Sequence, residues 1–90
     1  MNAAGIIIDW IEGNCPVQAE GEIGAKRFYF RARGSHWSID IGGDDPADEA
    51  EWSYRERFGD WPDAGWMDVA QAEWLIRRGA QLHQDANYGQ

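Results

Sequence analysis

Two glycine-led dipeptides, Gly24-Ala25 and Gly34-Ser35, each stand between runs in which apolar and polar residues alternate. Glycine at the first central position supplies the positive φ that a two-residue hairpin turn of the II′ kind requires. Alternation with period two marks a strand that buries one face. Residues 17–42 therefore predict a three-stranded antiparallel meander, and the turns set its register. Closing the second hairpin places Arg33 opposite His36, Ala32 opposite Trp37, Phe30 opposite Ile39 and Phe28 opposite Ile41. One face is then wholly apolar, while Tyr29 meets Asp40 and Arg31 meets Ser38 on the other. Closing the first hairpin places Glu22 opposite Arg27, Glu20 opposite Tyr29 and Ala19 opposite Phe30, which assigns the same two faces independently.

An apolar sheet face needs a cover. Asp68 with Gln71 three residues on has the spacing of a helix N-cap and capping box, and the helix body is predicted over about residues 69–84. Ala72, Leu75, Ile76, Gly79, Leu82 and His83 recur at three and four residues and form the stripe that covers the sheet. Gly79 costs that helix about 1 kcal/mol relative to alanine, a cost that a close helix–strand approach would justify. The segment from Gly5 to Ile11 reads as a further strand through its three isoleucines, with its place in the sheet open. Asp45-Pro46 has the form of an N-cap followed by proline at the first helical position, so a helix of one or two turns is expected there. Trp52, Tyr54, Glu56 and Phe58 alternate with Arg55 and Arg57, which predicts a short extended segment with its aromatics on the core. The expected fold is α+β: an antiparallel meander of three to five strands packed on one face by a C-terminal helix. A chain of 90 residues holds one such core, so residues 1–90 are read as a single domain.

The formal charge is −8, and it is concentrated. Between residues 40 and 63 stand nine carboxylates, Asp40, Asp44, Asp45, Asp48, Glu49, Glu51, Glu56, Asp60 and Asp63, against Arg55 and Arg57, so this window carries −7 of the total. An arbitrary acidic run is a solvated face. Here Trp52, Tyr54, Phe58, Trp61 and Trp66 are interleaved with the acids, so aromatic anchoring would hold the charges in place. Fixed carboxylates spaced about 5–7 Å along a helix or strand can imitate a phosphate array, a property nearly any acidic element shares. The nine are the candidate partner-binding residues.

Other chemistries find less support. His36, Ser38 and Asp40 contain a triad's residue types, but alternate residues on one strand lie about 6.6–6.8 Å apart, too far for the direct hydrogen bonds that activate a nucleophile. The acidic run lacks the alternation and sixth-position glycine of a calcium loop, His36 and His83 have no ligand partner nearby in sequence, and no cofactor motif is present. Cys15 is the lone cysteine, which excludes an internal disulfide, and it reads as a buried small hydrophobe rather than a reactive thiol. The stretch from Lys26 to Arg33 interleaves basic and aromatic residues like a single-strand platform, yet Phe28 and Phe30 face the core and Glu20, Glu22 and Asp40 neutralise the face, so direct nucleic-acid binding is not expected. No basic leader precedes Ile6, and Asp9 ends the apolar run, so neither export nor a membrane span is expected and the cytoplasm is the expected location. A monomer without enzymatic activity is expected.

Taken whole, the chain resembles the small acidic proteins that phages carry against bacterial CRISPR systems, the anti-CRISPR proteins, several of which mimic DNA. The resemblance rests on the short single-domain α+β layout, the lone cysteine, the absence of catalytic motifs and the carboxylates from Asp40 to Asp63. The stretches from Cys15 to Gly21, Phe28 to Gly34 and His36 to Ile39 also look like small uncharacterised phage and prophage proteins. The resemblance implies a protein acting in the host bacterial cytoplasm that occupies the basic, DNA-binding surface of a CRISPR effector subunit. It assigns no residue by motif. The alternative expectation is an acidic adaptor or assembly module of phage origin that binds a protein through the exposed aromatics of residues 52–66, with charge serving solubility.

Overall fold

A computed structural model describes residues 5–88, with side chains described as far as Ala86. The first four residues, part of the segment read for an export signal, lie outside the described residues. Five strands follow in order: β1 (Ile6–Glu12), β2 (Val17–Ile23), β3 (Lys26–Arg33), β4 (His36–Ile41) and β5 (Trp52–Arg57). A short 3-10 turn (Asp63–Trp66) and one helix, α1 (Val69–Tyr88), complete the chain. The sheet is an antiparallel meander in sequential order, and the fold is α+β.

The two hairpin registers are those the turns predict. Phe30 pairs with Ile39 and Ala32 with Trp37 across β3 and β4, and Glu22 pairs with Arg27 and Ala19 with Phe30 across β2 and β3. Gly24 and Gly34 adopt φ of 64° and 66°, so each turn uses the left-handed freedom of glycine at its first central position. One face of the sheet is buried: Val17, Phe28, Phe30, Trp37, Ile39 and Ile41 are each about fully covered. Burying each large apolar side chain is worth about 1.5–3 kcal/mol. Phe30 stacks on Trp37 with ring centroids 5.9 Å apart, and Trp37 leans on Tyr54 of β5 at 5.7 Å.

Helix α1 closes that face through Ala72, Leu75, Ile76 and Ala80. Its start is capped as expected, the Gln71 N–H donating to Asp68 Oδ1 at 2.8 Å. Gly79 is where helix meets sheet: a Cβ there would stand 2.7 Å from Ile39 Cγ2. The isoleucine segment is the edge strand β1. It pairs with β2 through a register shift between Ile8 and Trp10 that leaves Asp9 as the extra residue of a bulge. The bulge lets Ile6, Ile8 and Ile11 all reach the core although their spacing is not regular.

Two expectations are corrected: Cys15 is exposed rather than buried, and the short helix expected at Asp45-Pro46 goes no further than its first turn. Asp45-Pro46 begins a single turn, in which Asp48 N–H and Glu49 N–H both donate to Asp45 O, and no helix follows. The chain enters β5 at Trp52, so no length remains to extend the turn, and one turn alone does not repay helix nucleation. Beyond β5 the chain crosses the end of the sheet, tied there by Phe58 N–H to Ser35 O at 2.8 Å and Ala64 N–H to Gly34 O at 3.0 Å.

Candidate interaction site

The β4–β5 loop holds most of the acidic window. Gly42 and Gly43, with φ of 92° and 86°, turn the chain out of β4, and the Gly42 N–H donates to Arg27 O at 2.8 Å. Pro46 is buried, and the single turn at Asp45 ties the loop across its middle. A backbone fastened at three points presents its side chains in set positions. Asp44, Asp45, Asp48 and Glu49 are exposed and have no side-chain hydrogen bond or ion pair among the described residues. With Gly43, Ala50 and Glu51 they surround an open hollow of about 570 Å³.

Glu51 belongs to the same loop but is partnered. Lys26 donates to Glu51 Oε1, and this bond holds the carboxyl below its usual range. The other four candidate carboxylates lie elsewhere. Asp40 sits on the outer sheet face between Tyr29 and Ser53. Asp60 pairs with Arg57 at 3.1 Å, and Asp63 Oδ2 accepts the Asp60 N–H at 3.0 Å, so both brace the segment after β5. Glu56 points to the helix side of β5, where Arg78 of α1 donates to it twice, from Nε at 3.1 Å and from a terminal nitrogen at 2.9 Å. That fork, with a further bond from the Tyr54 hydroxyl, lowers the Glu56 carboxyl below its usual range. The window thus brings together five of its nine acids, Asp44, Asp45, Asp48, Glu49 and Glu51, while Glu56, Asp60 and Asp63 are spent on intramolecular bonds and Asp40 stands apart on the outer sheet face. The sign of Glu56's role was present in sequence, since it shares the inward alternation of Trp52, Tyr54 and Phe58.

The outer face of the sheet is a grid of polar side chains arranged in cross-strand rows. Glu20, Tyr29, Asp40 and Ser53 form one row, and Gln18, Arg31, Ser38 and Arg55 the next. Arg33, His36 and Arg57 form the last. Tyr29 donates to Gln18 Oε1 at 2.6 Å, and partial burial raises its phenol pKa. His36 Nδ1 lies 3.0 Å from Ser35 Oγ, a neighbour in the turn, rather than beside Ser38 or Asp40. The aromatics of residues 52–66 divide in two: Trp52, Tyr54 and Phe58 pack on the core, while Trp61 and Trp66 are 76% and 59% exposed.

Among the described residues no polar or charged side chain is buried, and no three His, Cys, Asp or Glu side chains converge as a metal site. No helix among them is long and apolar enough to cross a membrane. No family model, curated protein or solved structure matches the chain.

Proposed function

We propose that this protein is a non-enzymatic inhibitor that presents the β4–β5 loop to a basic surface of a nucleic-acid-binding complex of the host and blocks DNA binding there. The observation that carries this reading is the fastened loop in which Asp44, Asp45, Asp48 and Glu49 stand exposed without side-chain partners. Carboxylates already paired within the chain have spent their attraction, whereas these four have theirs to give to lysines and arginines of a partner. A pre-ordered loop also loses little entropy on docking. The anti-CRISPR resemblance names a CRISPR effector as the complex to test first. Charge of this kind acts chiefly on the association rate and on partner choice.

The test is capture of host proteins on the immobilised protein at low and high salt, with duplex DNA as competitor. Under this reading a DNA-binding complex is captured, released by DNA, and lost on going from about 0.1 M to about 1 M salt, where the Debye length falls from about 10 Å to about 3 Å. The combined substitution Asp44→Asn, Asp45→Asn, Asp48→Asn and Glu49→Gln keeps the fold, since none of the four is paired, and abolishes capture. Retained capture by that folded variant overturns the assignment.

The exposure of Trp61 and Trp66 favours a second reading, an acidic adaptor that binds its partner through aromatic anchors. It expects capture that salt and DNA leave unchanged and that Trp61→Ala with Trp66→Ala removes.

A further inference from the structure

In a chain with sixteen carboxylates and eight basic side chains, every lysine and arginine has an acidic partner to choose. Lys26, Arg27, Arg57 and Arg78 take one, each within 4.0 Å. Arg31, Arg33, Arg55 and Arg77 pair with none among the described residues, and the first three line one groove. The cross-strand rows put them there. Arg31 and Arg55 flank Ser38 in one row, and Arg33 stands beside His36 in the next. Strands lie about 4.8 Å apart and alternate residues about 6.7 Å apart, so the three guanidinium stems rise from a patch about 10 Å by 7 Å.

Of the carboxylates of the same face, Glu12 closes the Arg31 row at its β1 end, two strands from Arg31 with Gln18 between them, and the others lie in other rows. Arg27 collects Asp9 at 2.9 Å, Glu22 at 3.8 Å and Glu20 at 3.9 Å, so the neutralisation expected of the whole basic strand stops at Arg27. Trp61 forms the end of the groove. Its ring edge lies against Gly34, where a Cβ would come within 3.1 Å of Cδ1, and the rest of the ring is open to solvent. The bonds from Phe58 and Ala64 to the β3–β4 turn hold that segment in place.

Three like charges held together without counter-charge are matched by an anion that accepts several hydrogen bonds at once, and a phosphate does so with the fork geometry of arginine. An exposed indole beside it offers a stacking surface for a planar ring. The groove encloses about 460 Å³, within the roughly 300–1,000 Å³ of small-molecule sites. We propose that the groove bounded by Arg31, Arg33, Arg55, His36 and Trp61 binds a nucleoside phosphate, with the phosphate on the arginines and the base on Trp61. The ligand is a mononucleotide rather than a strand. Beyond the groove lie Glu20, Asp40 and the rest of a surface of net charge −8, which repels each further phosphate of a polymer.

Heteronuclear NMR titration of the full chain with AMP, ADP, adenosine, inorganic phosphate and a short oligothymidylate tests this. The expected result is saturable shifts for AMP and ADP confined to residues 31–38, Arg55 and the Trp61 indole, weaker ones for phosphate and none for adenosine. Arg33→Gln and Arg55→Gln each weaken AMP about tenfold. Trp61→Ala reduces AMP to the affinity of phosphate and leaves phosphate unchanged. These side chains are exposed, so the variants keep a dispersed spectrum, and the titration of the natural chain stands whether or not they do. Absence of saturable shifts, shifts unaltered in the arginine variants, or tighter binding of the oligothymidylate than of AMP overturns the proposal.

Discussion

Gly79 carries the energetic logic of the helix–sheet junction at the scale of one residue. Alanine at this position gains about 1 kcal/mol of helix propensity, yet its Cβ would meet Ile39 Cγ2 at 2.7 Å and Cδ1 at 3.1 Å. Ile39 is fully buried between sheet and helix and has nowhere to move. Overpacking of this kind costs about 1–3 kcal/mol, so Gly79→Ala is expected to destabilise by about 1 kcal/mol net and lower the thermal midpoint by about 4–8 °C. A midpoint that stays or rises removes the claim that glycine is needed for close approach. The sequence announced this position as a helical glycine without a local reason; the reason lies 40 residues away in β4. Glu56 is the opposite case. Its charge placed it with the acidic window, but the inward phase of β5 decides its partner, and that partner is Arg78.

Elements whose local signals agreed are legible in the sequence. Each hairpin of the β2–β4 meander had a turn glycine and a consistent apolar face, and the helix had a cap and a stripe. β1 was not placed because the bulge at Asp9 breaks the period-two pattern by which strands are recognised. The turn at Asp45 was overextended because cap chemistry says where a helix can start and says nothing of the distance to the next strand. Between elements, β5 and α1 are joined by the Glu56–Arg78 fork and by Trp52 against His83, ring centroids 5.2 Å apart. Both contacts favour neutral to alkaline pH. Arg78 lowers the Glu56 pKa, and burial lowers that of His83. A group whose pKa falls on folding stabilises above its unfolded pKa and loses that contribution as pH drops through the folded one. Stability conferred by His83 therefore fades below about pH 6.5 and that of Glu56 below about pH 4.3. In urea denaturation across pH, Glu56→Gln is expected to be less stable than the natural chain at pH 7, with the gap closing through the carboxylate range. Relief of the overall negative charge acts on both proteins alike, so their difference isolates the fork. A gap independent of pH would assign the loss to packing.

Across the whole molecule the charge is polarised along β4, a separation that the net charge of −8 conceals. The strand begins at His36 in the arginine groove and ends at Ile41, five steps of about 3.3 Å, and the loop's carboxylates begin three residues further on at Asp44, which puts the two sites about 20 Å apart. Only the acidic end was legible from sequence, because its residues lie within eight positions of one another. The groove needs Arg55 brought beside Arg31 by the β4–β5 pairing, and Trp61 by the chain that crosses the sheet end. At 20 Å the two sites communicate through solvent alone, so ionic strength decides whether they do. At 0.1 M salt the Debye length is about 10 Å and four loop charges change the affinity of a doubly charged phosphate in the groove by less than about 1.5-fold; at 0.01 M it is about 30 Å and the change reaches about fourfold. Neutralising Asp44, Asp45, Asp48 and Glu49 is therefore expected to tighten AMP binding at 0.01 M salt and leave it nearly unchanged at 0.1 M. Titrations of both proteins at the two salt concentrations check this. A large effect that persists at 0.1 M would mean that the loop and the groove are coupled through the fold, since screened charge cannot reach that far.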